Sequence, residues 1–277
     1  MNVQTMVFVQ GIAGGVIPLL LFLVLWKKFG MKRLPFLVGA LTWVIFVSIL
    51  ESLVHSLVLV MSPAGAVIQK NLLLYALYGG LMAALFEETG RFFAFKLILK
   101  DHSDDKSGIM YGAGHGSMEC VTVLFIGAIN NLVVLAMAES GYIEELRLTA
   151  DAATIAQYEA VVDQLQNATF AQFLMGILER MSAIIAHIGL SIIVWFSVKE
   201  NVGKKWLLGL AMGLHFLLDF VTVLLQDKLD IAVLEILILV LSIGIAFIGL
   251  QVFKQNHVEA VQKKDEKQFP DFKNLGA

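Results

Sequence analysis

The stretch Phe-Glu-Glu-Thr-Gly-Arg-Phe-Phe, residues 86–93, decides how this chain is read. It lies inside an apolar run covering residues 71–99, longer than the roughly 20 residues that cross a bilayer. Glu87, Glu88 and Arg91 therefore fall where hydrocarbon is expected, each at a cost of about 2.5–3.5 kcal/mol on insertion scales. Charges kept at that cost must face the inside of a helix bundle, because lipid cannot solvate them. The stretch predicts a membrane fold with a polar centre, and the rest of the chain must supply the partners.

The composition agrees. Of 277 residues, 58% are apolar and 16% charged, against about 25% charged in a soluble domain. The apolar residues come in runs of roughly 20 or more, the pattern of a polytopic membrane protein. Net charge is −3, which gives no electrostatic footprint for nucleic acid. The single cysteine, Cys120, excludes an intramolecular disulfide and a metal site built on several thiolates. It reads as a small buried apolar residue. The first apolar run lacks a basic leading segment and a small-residue cleavage site, so it is expected to be a span rather than a removed signal.

Seven spans are expected: residues 5–26, 35–61, 71–99, 108–138, 170–198, 204–226 and 231–253. Residues 62–66, Ser-Pro-Ala-Gly-Ala, read as a short turn between the second and third. The chain divides into a transmembrane domain over residues 1–253, with an outer polar or helical segment at 139–168, and a charged cytoplasmic tail at 254–277. Of the 20 Lys and Arg residues, 15 fall in the segments that follow spans one, three, five and seven or at the span ends that border them. Only Lys70, Arg147 and Lys228 fall on the other side. By the positive-inside rule the N-terminus is outside and the C-terminus cytoplasmic. The class is an all-α, multi-pass helical bundle, expected in a bacterial plasma membrane. Segment 139–168 has apolar residues at near-helical spacing and reads as a surface helix, with a lid over the site as the sharper alternative. Asn-Ala-Thr at 167–169 matches a glycosylation acceptor.

Within the spans lie His55, His115, His187, His215, Glu51, Glu87, Glu88, Glu119, Glu179, Asp219, Arg91 and Arg180. Depth follows from the helical rise of about 1.5 Å per residue. Counted from the expected cytoplasmic boundaries, Glu87 and Glu88 lie about 18–20 Å deep, His187 and His215 about 18 Å, and Glu119 about 16 Å. Four spans thus bring complementary groups to one level near the midplane. Spacing adds direction: Glu87 and Glu88 precede Arg91 by one turn, and His115/Glu119, His215/Asp219 and Glu51/His55 are each four apart, so each set shares a face. Glu51 and His55 read as a structural pair, and Glu179 and Arg180 as a pair or interface anchors. Gly112, Gly114 and Gly116 surround His115 and allow a neighbouring helix to approach closely.

A desolvated carboxylate beside one paired to Arg91 can act as general base on water, with histidines polarising a carbonyl. That suits hydrolysis of an amide bond. The same ligands would also hold zinc at an open coordination site. His-Glu-x-x-His, Gly-x-Ser-x-Gly and paired intramembrane aspartates are absent from the sequence.

The motifs Glu-Glu-x-x-Arg at 87–91, Gly-His-Gly-x-x-Glu at 114–119, Glu-Arg-x-x-Ala then His at 179–187, and His-x-x-x-Asp at 215–219 resemble the YhfC family of membrane peptidases. More distantly they resemble the CAAX-protease and bacteriocin-processing family and the PrsW proteases. The resemblance covers nearly all seven spans. It implies an intramembrane protease acting on a membrane-associated peptide or protein, glutamic or metal-dependent. Glu87 or Glu88 would then activate water, Arg91 would pair with a carboxylate, and His115, Glu119, His187 and His215 would complete the site, with Asp219 orienting His215. A metal, zinc by its chemistry, would sit among Glu88, His115, Glu119, His187 and His215. Two departures stand out: Arg91 comes one residue earlier than in the CAAX-type motif, and Asp219 replaces an amide. From another class, a proton- or ion-coupled transporter would also place Glu and His at the midplane.

Overall fold

The computed structural model describes residues 2–199 and 203–268, with side chains as far as 257. Among the described residues, seven helices are long and apolar enough to cross a membrane. They are α1 (Val3–Lys28), α2 (Arg33–Val60), α4 (Leu72–Ile98), α5 (Lys106–Glu139), α8 (Phe170–Val198), α9 (Trp206–Leu225) and the membrane-crossing part, Ile231–His257, of α10 (Ile231–Gln268). Three further helices are α3 (Pro63–Lys70), α6 (Tyr142–Thr149) and α7 (Ala152–Asn167). No strand occurs among the described residues, as expected where the backbone must satisfy its own hydrogen bonds in hydrocarbon.

Helix α8 is the axis. Of its most apolar window 72% is buried, against 22–28% for the other spans. A helix apolar all round belongs inside a bundle, and Leu190, Ile192, Ile193, Val194 and Phe196 are almost fully enclosed. It packs mainly on α5 and α10, while α2 packs on α5 and α4 on α9. Glycines set the closeness of these contacts. A Cβ on Gly112 would lie 2.6 Å from the His187 carbonyl oxygen, and one on Gly114 would lie 2.0 Å from the Phe36 carbonyl oxygen. Helix α5 is therefore wedged between α8 and α2 at backbone contact, with His115 beside both seams.

Three details differ from the sequence reading. Residues 62–66 do not make a simple turn but open α3, with Pro63 in its first turn. Proline is pre-organised there and its missing N–H costs nothing. Segment 139–168 is a pair of helices, α6 and α7. Leu165 is buried with Met6, Val7, Leu135 and Phe173, and Arg147 links the two helices through Glu144 and Glu159 at 3.0 and 2.8 Å. Asn167 and Thr169 are both in local use: the Asn167 amide donates to Asp163, and Thr169 caps α8 in a capping box with Gln172.

The third concerns the start of the charged tail. Residues from 254 continue α10 rather than leaving the bundle. Asn256 is buried and donates to the Val252 carbonyl oxygen at 2.7 Å. His257 Nδ1 contacts Asp105 Oδ2 at 2.6 Å. Asp105 also accepts from Trp195 Nε1 at 3.0 Å and pairs with Lys199. These partners draw the tail's first turn onto the ends of α5 and α8. The remainder of the tail, 269–277, lies outside the described residues.

Candidate functional site

The residues of the opening stretch occupy the C-terminal half of α4, where Glu87, Glu88, Gly90 and Arg91 are all buried. Positions 87 and 88 differ by about 100° around a helix, so the two carboxylates meet different neighbours. Glu87 Oε2 is 2.8 Å from His115 Nε2 on α5 and 3.7 Å from His187 Nδ1 on α8. Its Oε1 is 4.0 Å from His215 Nε2 on α9. Glu88 Oε1 contacts His215 Nδ1 at 2.7 Å and pairs with Arg91. Arg91 is fully enclosed. Its Nη2 donates to Glu87 Oε2 at 3.2 Å and to His187 Nδ1 at 2.5 Å.

A second layer lies on the far side of His187. Its Nε2 is 2.6 Å from Glu119 Oε2. Glu119 Oε1 accepts from Arg180 Nη1 at 2.5 Å, and Arg180 Nη2 pairs with Glu179. On α9, His215 Nε2 is 3.4 Å from Asp219 Oδ2, one turn along the helix. The three imidazoles stand close together, with centroids 4.8 Å apart for His115 and His187 and 5.7 Å for His187 and His215.

All eight residues singled out at the centre thus come together from four helices. Each of the turn-spaced pairs shares a face, but partners are mostly on other helices: His115 meets Glu87, and Glu119 meets His187. Arg91 touches both carboxylates rather than one. Glu51 and His55 pair with each other at 3.2 Å, and His55 also meets Tyr78 at 2.9 Å. Cys120 is buried and free, as a small apolar residue would be.

Two things escaped sequence reasoning. Arg180 does pair with Glu179 as expected, but its side chain is only 13% exposed and also completes the chain through Glu119 to His187, which was not expected. The signal was present, because Arg180 and His187 are seven residues apart and share a helical face. Glu235 on α10 is buried within the bundle and was not singled out at all. It is one acid in a long apolar run, with no second ionisable group a turn away to mark its face.

Beside the polar cluster is a cavity of about 90 Å³ between α8, α9 and α10. Its lining includes the polar Glu87, Glu119, Arg180, His187, His215 and Asp219 and the apolar Ala183, Ala186, Leu190, Leu218 and Ile238. A few polar groups set among apolar side chains suit a ligand with a carbonyl and an apolar body.

One subset has the makings of a metal centre. Glu87, His115 and His187 each offer one donor atom, and the three atoms lie within 4.8 Å of one another. A carboxylate and two imidazoles are a donor set that zinc takes with a position left open. Glu119 behind His187 is the outer partner that a metal-binding imidazole commonly has. The donor set fits such an ion once Arg91 is displaced, since its Nη2 contacts Glu87 Oε2 at 3.2 Å and His187 Nδ1 at 2.5 Å. Glu87 rather than Glu88 belongs to this subset, because its carboxylate is the one that lies within reach of His115 and His187.

A multi-helix membrane protein with a buried Glu/His centre and an adjoining cavity has the features of a membrane-embedded hydrolase. The chain belongs to the YhfC intramembrane metalloprotease family, whose model matches residues 15–240. It is 32% identical over 206 residues to the uncharacterized membrane protein YhfC of Bacillus subtilis (strain 168), covering 74% of this chain and 78% of that protein. No solved structure matches. The chain is an integral, multi-pass membrane protein, and its family points to a metal.

Proposed function

We propose that this protein is a zinc-dependent intramembrane protease that hydrolyses a peptide bond of a membrane-associated substrate in the cavity between α8, α9 and α10. The observation that carries the reading is the convergence of Glu87, His115 and His187 donor atoms within 4.8 Å, with Glu87 and His187 lining that cavity. These three residues would hold the ion. Zinc, when bound, supplies Lewis-acid polarisation of the scissile carbonyl and a more acidic water.

The other residues have separable tasks. Glu88 accepts from His215 Nδ1 and so fixes that ring with Nε2 facing the cavity. Nε2, 3.4 Å from Asp219, is placed to take a proton from the attacking water and return it to the leaving amine. Asp219 orients the ring and balances its charge while the proton is held there. Arg91 neutralises the α4 carboxylates, which a buried pair requires. The apolar wall of Leu190, Leu218 and Ile238 excludes bulk water and suits a hydrophobic segment. We place the N-terminus outside and the C-terminus in the cytoplasm of a bacterial cell, from the distribution of basic residues.

A second, metal-free reading has its own observation. Glu87 is already hydrogen-bonded to His115 Nε2 at 2.8 Å, and buried His115 Nδ1 has no hydrogen-bond partner among the described residues. A metal-binding imidazole usually has such a partner. In this reading Glu87 itself activates water as a general base. The family assignment favours the metal, and it favours hydrolysis over coupled transport. Elemental analysis of purified protein decides between the mechanisms: one zinc per chain, lost in Glu87→Gln and His187→Ala but kept in Glu88→Gln, is expected. Glu87→Gln, Glu88→Gln and His215→Ala should all insert and fold yet lose cleavage. Full cleavage by all three would sink the protease reading.

A further inference from the structure

We infer that Arg180 is a positioning residue of the centre: its guanidinium pins Glu119 behind His187, and Glu119 aims the His187 ring so that Nδ1 faces Glu87. The assignment of protons follows from the contacts. Arginine carries only donors, so His187 Nδ1, 2.5 Å from Arg91 Nη2, must present its lone pair. The ring proton is therefore on Nε2 and is donated to Glu119 Oε2 at 2.6 Å. Glu119 has one oxygen left to fix its orientation. Oε1 accepts from Arg180 Nη1 at 2.5 Å, and the other prong of Arg180 is tied to Glu179.

Each link comes from a different part of the fold. Glu119 is on α5, while Arg180 and His187 are two turns apart on α8. A carboxylate hung on α5 alone could rotate toward the cavity that it lines. Arg180 holds it against α8 instead. The planar guanidinium is suited to this, since its donors reach two carboxylates from one rigid, pre-organised fork, whereas an ammonium is a point charge on a flexible stem. Arg180 touches no Glu87, His115 or His187 donor atom and acts only through Glu119.

The inference rests on reading His187 as a donor to the centre, and its first test does not need a metal. In ¹⁵N-histidine-labelled protein in lipid nanodiscs, with His187→Asn used to assign the signal, the wild type should show an Nε2–H tautomer. Its proton should resonate far downfield, as a 2.6 Å bond to a carboxylate requires. In Arg180→Gln that proton should move upfield and exchange faster, and zinc affinity by chelator competition should fall about 10-fold, the lower end of the usual loss for an outer partner of a ligand. If Arg180→Gln does not fold, Arg180→Lys is read in its place, with a smaller upfield shift expected. A His187 proton unchanged in whichever variant folds overturns the inference. A shifted proton in a protein that never binds zinc leaves it standing and removes the metal reading alone. A purely structural role would lower thermal stability without moving the His187 resonance.

Discussion

Gly114→Ala is the substitution that most directly joins packing to function. The added Cβ would lie 2.0 Å from the Phe36 carbonyl oxygen and 2.7–2.8 Å from the Phe36 carbonyl carbon and Cα. Ordinary contact begins near 3.4 Å, so α2 and α5 must separate by about 1.4 Å, the difference of those two distances. The obstacle is backbone, which cannot rotate away. Overpacking of this kind costs about 1–3 kcal/mol. At about 2–4 °C per kcal/mol for a chain of roughly this size, the thermal midpoint should fall by several degrees. The neighbouring residue is His115, whose contact with Glu87 is 2.8 Å, and a shift of about 1 Å at such a site can cost about 10²-fold in rate. Fluorescence-monitored unfolding in detergent, beside zinc affinity, reads both effects. Gly213→Ala is the control, since a Cβ there meets nothing within 4 Å. A Gly114→Ala protein matching Gly213→Ala in both measurements would refute the claim that backbone contact between α2 and α5 sets His115.

Two further expectations concern the ends of the helices. At Asp105, burial pushes the carboxyl up, but hydrogen bonds from Lys199, His257 and Trp195 overcome this and hold it below the usual carboxylate range. Its stabilisation is therefore present above about pH 4, the unfolded value, and is lost as pH falls through the lower folded value. Asp105→Asn should cost about 1.5–3 kcal/mol near neutral pH, with the gap from wild type closing in strongly acid buffer; a gap independent of pH would refute the clamp. For topology, a reporter fused after residue 257 should be active only as a cytoplasmic fusion and one placed between α6 and α7 only as an external one. The reverse pattern would overturn the orientation drawn from the basic residues.

Much of this arrangement is legible in the residues because hydrocarbon is an unforgiving solvent. Spans announce themselves by length and apolarity, and FEETGRFF announces an interior face because three charges cannot meet lipid. Depth along a span is a linear count, so Glu87, Glu119, His187 and His215 could be placed at one level. Rotation about the helix axis relative to other helices is another matter. Which carboxylate meets His115 and which meets His215 depends on how α4 is turned against α5 and α9, and packing at glycine seams decides that. Arg180 shows the same limit: its pair with the adjacent Glu179 was legible and forms, while a partner 61 residues away, Glu119, draws it into the centre. The tail after residue 253 failed for a related reason, since Asn256 and His257 find their places only where Asp105 is brought to the end of α8. Local rules of length, hydropathy and spacing therefore determined the seven helices and the level of the polar centre. Only the tertiary packing decided which donor atoms face one another, because that depends on contacts between residues far apart in the chain.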